Sequence, residues 1–280
     1  MIIHFAFIVL GLVLLVIGGE WLVRASVGLA LKLKVSTMVI GLTVVSFATS
    51  APELIVSLKA ALKGHPDITF GNVIGSNIAN IGLILGVTAI ILPINIKKKS
   101  AKFDLWYLVL LTMLLWFFVY FDKELGHLEG LLLLLGLSSF VFYKIRRSRI
   151  EKRVQLESDL DIPEAHSKGW KIAFFFLLGG VALKFGADFL VEHAVFLAEQ
   201  MHIDERIISI TVLAFGTSVP ELAASVMAAF KKEADIAIGN VIGSNLFNIG
   251  AVLGITSFIK DIPLIDSTLF TFDFWWALAF

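Results

Sequence analysis

The feature that most constrains this chain is an internal repeat. The motif Thr-Ser-x-Pro-Glu occurs at 49–53 and again at 217–221, a shift of 168 positions. The same shift aligns 43–88 with 211–256, and 27 of these 46 positions are identical. Agreement at this level indicates two copies of one structural unit, so the fold must bring two related halves together.

Composition places both halves in a membrane. Of 280 residues, 58% are hydrophobic and 16% are charged, and the mean hydropathy is +0.90. Soluble domains carry about 25% charged residues and do not string together apolar runs of about 20 residues. We therefore predict an all-α polytopic membrane protein whose first helix is retained and not cleaved as a signal peptide. The predicted spans are 2–31, 36–61, 70–93, 103–121, 126–145, 170–200, 205–230, 238–259 and 266–280.

The number of spans predicts that the two halves are inverted relative to each other. Each unit holds five spans before the next begins, and an odd number reverses the side from which the second unit enters. The last spans of the second unit would map beyond Phe280, so ten helices are expected and the chain should end within the ninth. The predicted parts are a first repeat at 1–145 (motif 41–88), a cytoplasmic linker at 146–168 and an incomplete second repeat at 169–280 (motif 209–256).

Basic residues predict the orientation. When the spans are taken alternately, most lysines and arginines fall on one side, including those of 97–102, 144–171 and 231–232. By the positive-inside rule this side is cytoplasmic, which places the N-terminus outside. A formal net charge of zero gives no reason to expect a nucleic acid partner, and the absence of cysteine excludes thiolate metal sites.

Glu53 and Glu221 carry the chemistry of the first motif. A carboxylate inside an apolar span costs several kcal/mol unless something neutralises it. The preceding prolines, Pro52 and Pro220, should break their helices and free backbone carbonyls, which is tolerated at membrane depth only around a cavity or inside protein. Two carboxylates among hydroxyls and free carbonyls match one Ca²⁺ or a pair of Na⁺.

The second motif, Gly-Asn-Val-Ile-Gly-Ser-Asn, adds polar side chains to a neighbouring helix in each half. It leads to Ser76 and Asn80 in one copy and to Ser244 and Asn248 in the other, each pair on one helix face at i, i+4. The asparagine that follows each serine is expected to point elsewhere, and the glycines to let helices approach closely. Inversion should make the broken helices of both halves converge near the midplane.

Simpler explanations apply to parts of these motifs. Ser50 with Glu53 and Ser218 with Glu221 have the spacing of helix capping boxes. Capping alone would leave a carboxylate in the core of each half, although capping together with ligation is compatible with the pattern. Serine and threonine in membrane helices also often bond only to the backbone.

Other charged residues have local explanations. Glu20 with Arg24, and Asp188 with Lys184, are spaced to neutralise each other along one helix. The six histidines show no metal-ligand spacing, so no role is predicted for them.

Residues 41–54 with 71–82, and 215–222 with 239–250, resemble the two α-repeats of the calcium/cation antiporter superfamily, in particular its prokaryotic sodium/calcium exchangers. The resemblance implies ten helices, of which the second, third, seventh and eighth form a core while the long first and sixth slide across it. It also implies exchange of Ca²⁺ against Na⁺ by alternating access, in a prokaryotic plasma membrane.

The resemblance further implies a ligand at each matching position. Glu53 and Glu221 would be shared by Ca²⁺ and Na⁺, and Thr49 and Thr217 would join them at a central calcium site. The remaining ligands would be Ser50, Ser76 and the Ser46 carbonyl at one sodium site, Ser218, Ser244 and the Ala214 carbonyl at the other, and Asn80 and Asn248 at the middle position.

Asn248 departs from many relatives, which carry an aspartate there in one repeat. Potassium-dependent exchangers resemble each other in having an acid at this position, so two asparagines argue by analogy against K⁺ transport. The Thr-Ser-x-Pro-Glu form resembles the sodium-coupled branch more than proton/cation exchangers.

The predicted function is therefore Ca²⁺ extrusion driven by Na⁺ entry. An H⁺/Ca²⁺ antiporter is the alternative, and a cation channel ranks below it. No nucleophile–base pair or histidine metal site indicates an enzyme. Apart from the transported Ca²⁺ and Na⁺ and the lipid bilayer, no cofactor and no obligatory protein partner is expected.

Overall fold

The fold of this chain, seen in a computed structural model, is almost entirely helical where it is described. The structure describes residues 2–93, 98–158, 169–201, 216–264 and 274–279. Two short strands, β1 (Glu124–Leu125) and β2 (Ile262–Pro263), pair antiparallel. The helices are α1 (Ile2–Leu33), α2 (Thr37–Thr49), α3 (Ala51–Leu62), α4 (Pro66–Ile91), α5 (Lys98–Asp122), α6 (His127–Ser158), α7 (Gly169–Gln200), α8 (Val219–Phe230), α9 (Ala234–Ile259) and α10 (Phe274–Ala279).

The length and apolarity of these helices confirm the predicted membrane class. Within the described ranges, six helices can cross a membrane, and α2 with α3 adds a seventh as one span bent by 45°. The predicted spans 205–230 and 266–280 fall partly outside the described residues. α6 continues to Ser158, past the boundary predicted at 145, because charged pairs such as Arg147–Glu151 (2.8 Å) support a solvated helix.

α1 and α7 pack against each other as an antiparallel pair. A Cβ added to Gly11 would lie 2.8 Å from the Gly186 carbonyl oxygen, and one added to Gly18 would lie 2.9 Å from that of Gly179. The repeat shift carries Gly11 onto Gly179 and Gly18 onto Gly186, so the two contacts are images of each other. Such reciprocity between antiparallel helices is the geometry of an inverted repeat, and it confirms that prediction.

α9 lies at the centre of the molecule. The most apolar window of α9 is 94% buried, against 28–33% for the other spans. Glycines let α2 approach it, since a Cβ added to Gly239 or Gly243 would lie 2.6–2.7 Å from the Met38 and Leu42 carbonyl oxygens. The glycines of the second motif therefore serve packing in this half, whereas a Cβ added to Gly71, Gly75 or Gly86 of the first half, where close helix approach was predicted, would meet no described atom within 4 Å.

A buried ion pair joins α5 to α6. The Lys144 ammonium lies 2.8 and 2.9 Å from the two carboxylate oxygens of Asp104, and the two side chains are 6% and 0% exposed. Charges buried this deeply must be paired, because an isolated one would carry a large desolvation penalty. The pair therefore fixes the packing of two helices outside the repeated motifs.

Candidate cation site

Both halves contain the helix break predicted at the Thr-Ser-x-Pro-Glu motif. α2 ends at Thr49 and α3 begins at Ala51, with Ser50 between them at φ −84° and ψ 4°. The second copy repeats this conformation, since Ser218 has φ −91° and ψ 4° and α8 begins at the next residue. A proline at the second position of α3 and of α8 is compatible with a helix start but not with continuation, which explains the break.

The two glutamates that follow these breaks are fully buried. Glu53 is 0% exposed and Glu221 is 1% exposed. Neither carboxylate oxygen of Glu53 accepts a hydrogen bond from a described residue, and only Oε1 of Glu221 does, from the Ser50 hydroxyl at 3.1 Å. Two buried, nearly unsatisfied carboxylates need a neutralising group, and a bound cation would supply one.

Neutral oxygens without partners complete the set. Buried polar atoms are nearly always hydrogen-bonded, so a group of exceptions points to a missing ligand. Among the other described residues, Thr256 Oγ1 at the end of the second repeated segment shares this condition, whereas the buried Asp104 oxygen lies 2.8 Å from Lys144. The side-chain oxygens without a partner in the motifs are those of Glu53, Ser76, Asn80, Ser218, Glu221, Ser244 and Asn248.

The packing of the halves brings these oxygens towards one another. α3 of the first half packs against 248–253 of the second, and α8 of the second half packs against 80–85 of the first. Glu53 therefore lies on a helix that contacts the segment beginning at Asn248, and Glu221 on one that contacts the segment beginning at Asn80. The helix that carries each carboxylate therefore packs against the segment of the other half that begins with a candidate amide ligand.

Four asparagines hold the two halves together at this point. The Asn80 amide nitrogen donates to Asn245 Oδ1 at 2.8 Å, and the Asn248 amide nitrogen donates to Asn77 Oδ1 at 3.0 Å. The nitrogens of Asn77 and Asn245 donate to each other's backbone carbonyls at 3.4 and 3.3 Å. These bonds fix the amide planes of Asn80 and Asn248 and leave their carbonyl oxygens free. Asn77 and Asn245 were expected to point elsewhere, but they bond directly to Asn80 and Asn248 and thus orient these candidate ligands.

Asn72 is a second residue that sequence reasoning missed. Its amide nitrogen donates to the Ser57 hydroxyl at 2.9 Å and to the Glu53 backbone carbonyl at 3.3 Å, while its oxygen accepts from the Thr217 hydroxyl at 3.3 Å. The side chain therefore spans both halves and braces the helix that carries Glu53. Asn240 makes the equivalent bonds to Ser225 (3.0 Å), the Glu221 carbonyl (3.3 Å) and Thr49 (3.2 Å). The signal that could have found both was their identity in the two copies of the second motif.

Further predicted ligands make local bonds. The Thr49 hydroxyl also approaches the Val45 and Ser46 carbonyls, at 3.2 and 3.4 Å. The Ser46 carbonyl accepts the Ser50 backbone N–H at 2.9 Å, so only its remaining lone pair is available to a cation. Ala214 lies outside the described residues.

A π-helical turn begins at each of the middle asparagines. It covers Asn80–Leu85 in α4 and Asn248–Leu253 in α9, at positions related by the repeat shift. Such turns insert an extra residue into an α-helix and recur at functional sites. The duplication of this irregularity, which the helical spacing did not predict, indicates that both halves need the same local backbone at the candidate site.

The candidate site would hold a cation by mixed oxygen ligands. Among the described residues, no three His, Cys, Asp or Glu side chains cluster as a metal group. Two carboxylates with hydroxyl and amide oxygens suit hard cations such as Ca²⁺ and Na⁺ better than transition metals, which favour imidazole or thiolate.

A cavity of about 540 Å³ reaches this region from one face of the molecule. Its lining includes Pro52, Thr217 and Pro220 from the two broken helices, and Lys184, Asp188 and Glu192 from α7. The cavity therefore offers a route between the candidate site and the face of the molecule at which α3 ends.

Comparisons with known proteins agree with this geometry. The family model described as sodium/calcium exchanger protein matches residues 3–146 and 171–280. The putative antiporter CaxA of Alkalimonas amylolytica is 37% identical over 262 residues, which cover 92% of this chain and 82% of that protein. The sodium/calcium exchanger MaX1 of Methanosarcina acetivorans is 35% identical over 306 residues, which cover 96% of this chain and 86% of that protein.

A solved structure is also similar. The sodium-calcium exchanger NCX_Mj, soaked with Na⁺ and Ca²⁺, superposes with a TM-score of 0.83 at 29% identity. The match covers 99% of this chain and 89% of that one, so it extends over both halves and the contacts between them.

Proposed function

This chain belongs to the sodium/calcium exchanger protein family, and we propose that it is a secondary antiporter that exchanges Na⁺ for Ca²⁺ across the membrane. The observation that carries the proposal is the set of buried oxygens without partners, which includes the carboxylates of Glu53 and Glu221. The ligand set comprises these with Ser50, Ser76, Asn80 and their counterparts Ser218, Ser244 and Asn248, together with Thr49, Thr217 and the Ser46 and Ala214 carbonyls.

Na⁺ and Ca²⁺ exchange because they compete for the same two carboxylates. Together they carry a charge of −2, which one Ca²⁺ or two Na⁺ neutralises. Because the same oxygens serve both ions, bound Na⁺ excludes Ca²⁺ and bound Ca²⁺ excludes Na⁺. The protein with an ion bound opens to one face of the membrane, and the ion leaves there. The bound ion influences which face is open, because a ligand shifts the population of the protein towards the conformation that binds it better.

The direction follows from topology and gradients. Where the Na⁺ gradient points into the cell, inward Na⁺ movement drives Ca²⁺ out, and in the proposed topology the N-terminus lies outside and the segment 146–168 in the cytoplasm. Two asparagines at the middle position favour exchange without K⁺, because only two carboxylates are then available to balance cation charge.

Transport in proteoliposomes tests this proposal. The purified protein is reconstituted with internal Na⁺, and uptake of ⁴⁵Ca²⁺ is measured after dilution into Na⁺-free buffer. We expect uptake that ends when the outward Na⁺ gradient is collapsed, while internal K⁺ in place of Na⁺ gives none.

Two other outcomes would overturn the sodium coupling. Uptake driven by a pH gradient in Na⁺-free buffer would identify an H⁺/Ca²⁺ antiporter. Currents through single channels, or Ca²⁺ flux that needs no counter-ion, would identify a channel.

A further inference from the structure

The contacts of α1 and α7 with the broken helices are asymmetric, although the two halves are related by sequence. Ala187 of α7 lines the cavity of about 540 Å³ that separates α7 from α3. Its counterpart Gly19 in α1 lies directly on α8, where an added Cβ would be 3.1 Å from Met227 Cβ and 3.2 Å from the Ala223 carbonyl oxygen. The molecule is therefore open beside α7 and packed shut beside α1.

An ion pair crosses the shut side. The Glu20 carboxylate of α1 lies 2.8 Å from the ammonium of Lys231, the residue that directly follows α8. Glu20 also pairs at 2.5 Å with Arg24 on its own helix, as predicted. The pair of Glu20 with Lys231 differs from this one because it connects two helices. It joins the long helix α1 to the end of the broken helix α8.

The repeat shift places the same two charge types on the open side. It carries Glu20 onto Asp188 and Lys231 onto Lys63. Lys63 directly follows α3 as Lys231 directly follows α8, with φ −86° and ψ 1° for Lys63 and φ −82° and ψ 2° for Lys231. Here, however, the two charges are not joined: Asp188 pairs with Lys184 on its own helix, and Lys63 makes no ion pair with a described residue.

The sign of the charge is the same in both halves at the positions of Glu20 and Lys231, whereas the charged residues near Glu20 and Asp188 differ between the halves. Arg24 corresponds to Glu192, and Lys184 corresponds to Val16, so the partners within each long helix are unrelated between the halves. The two positions at which an acid on a long helix can meet a lysine at the end of a broken helix keep both signs. This selective retention indicates that the pair across the helices matters in both halves.

We propose that the two pairs alternate as latches of the transport cycle. Glu20–Lys231 holds one face shut while the cavity beside α7 is open, and Asp188–Lys63 holds the other face shut after α1 and α7 have moved. Asp188 would then leave Lys184 for Lys63 as Lys231 leaves Glu20. The inference rests on the proposed function, because two latches need two facing states.

The test measures how open the cavity is, independently of which ions are carried. The chain contains no cysteine, so Val56→Cys places a single thiol in the cavity lining. The thiol is alkylated by a membrane-impermeant maleimide in ion-free detergent solution. The rate of this alkylation measures the population of the state in which the cavity is open. Both latch pairs are partly exposed, so each should change the ratio of the two states by about two- to fivefold.

Neutralising each latch should shift this rate in opposite directions. Glu20→Gln should lower the alkylation rate. The variant lacks the ion pair that holds the α1 side shut, and this pair stabilises the state in which the cavity beside α7 is open. Lys63→Gln should raise the rate, although Lys63 has no ion-pair partner among the described residues in the conformation seen here. Lys59→Gln, one turn earlier on the same exposed edge of α3, is the matched control and should leave the rate unchanged.

A double variant and a cross-link complete the test. In a Lys184→Gln background, which removes the other partner of Asp188, Asp188→Asn combined with Lys63→Gln should shift the rate no further than Lys63→Gln alone, because both then remove the same interaction. With cysteines at 63 and 188, a short bifunctional maleimide should capture the opposite state. Equal rates for the Lys63→Gln and Lys59→Gln variants, or no cross-link between 63 and 188 while 20 and 231 cross-link fully, would overturn the latch. Neither readout depends on Na⁺ coupling, so its failure is distinguishable from failure of the proposed function.

Discussion

The hydroxyl of Thr217 donates a hydrogen bond of 3.3 Å to the side-chain oxygen of Asn72, and these two residues belong to different halves of the molecule. Thr49 and Asn240 repeat the contact at 3.2 Å with the halves exchanged. Each broken helix is thus braced by an asparagine of its own half that is itself held by the other half. The candidate site cannot form in either half alone.

Removing either central carboxylate should abolish exchange. Glu53→Gln or Glu221→Gln keeps the shape of the side chain but halves the ligand charge, and we expect Na⁺-driven ⁴⁵Ca²⁺ uptake to fall by at least ~10-fold. Ca²⁺ should also stop raising the unfolding temperature of either variant, since a ligand stabilises only the protein that binds it. Glu199→Gln, at an exposed position near the end of α7, is the control and should behave like wild type. Full uptake by either variant would remove that carboxylate from the site.

The bracing asparagines should contribute to stability as well as to transport. Asn240→Ala would leave the Ser225 hydroxyl and the Glu221 carbonyl without their donor, at about 1–3 kcal/mol for each buried group left unsatisfied. Thermal unfolding in detergent measures the loss. Thr112→Ala is the control variant, because among the described residues the Thr112 hydroxyl bonds only to the Leu108 carbonyl of its own helix. It should lose less than ~1 kcal/mol. An Asn240→Ala variant as stable as wild type would show that these bonds do not brace the helix.

Adjacent glycines in α7 should respond very differently to a methyl group. Gly179→Ala would place a Cβ 2.8 Å from the Leu22 backbone nitrogen and 2.9 Å from the Gly18 carbonyl oxygen. The backbones of α1 and α7 would have to separate, so we expect a loss of about 1–3 kcal/mol. At Gly180, the same methyl group would meet no described atom within 4 Å, so Gly180→Ala should be neutral or slightly stabilising. Equal unfolding temperatures for the two variants would contradict the close packing of α1 on α7.

The ion pair between Asp104 and Lys144 should show strong coupling. Lys144→Met alone would leave the Asp104 carboxylate buried without its counter-charge, which costs about 3–5 kcal/mol. Replacing Asp104 by Leu at the same time removes the stranded charge, so the double variant should be more stable than Lys144→Met. Unfolding of both single variants and the double variant completes the cycle. Additive losses would mean that the two charges are not coupled.

Much of this architecture was predictable because the sequence contains each motif twice. The duplicated Pro-Glu step required a helix break and a buried carboxylate in each half, and the breaks at Ser50 and Ser218 have nearly the same dihedral angles. The odd number of spans required inversion, which the contacts of Gly11 and Gly18 with α7 display. These features depend on local chemistry and on counting, both of which a sequence contains.

The bonds between the halves were not predictable in the same way. Spacing at i, i+4 placed Ser76 and Asn80 on one face, but it does not say which helix lies opposite that face. The partners of Asn77 and Asn72 are about 145–168 positions away, in contacts that exist only after the halves have docked. α6 also extends to Ser158, beyond the span end predicted at 145, and the i, i+4 ion pair of Arg147 with Glu151 lies in this extension.

The sequence by itself determined that this protein has two inverted halves, and it predicted that each half brings one buried carboxylate and one set of neutral oxygens to a shared candidate site. Only the tertiary structure decided which face is open, with a cavity beside Ala187 and close packing at Gly19. The physical reason is that the two halves are related by sequence. The two conformations, each open to one face of the membrane, therefore have nearly equivalent contacts. A difference of a few kcal/mol, set by how α1 and α7 lie on the core, then selects one of them.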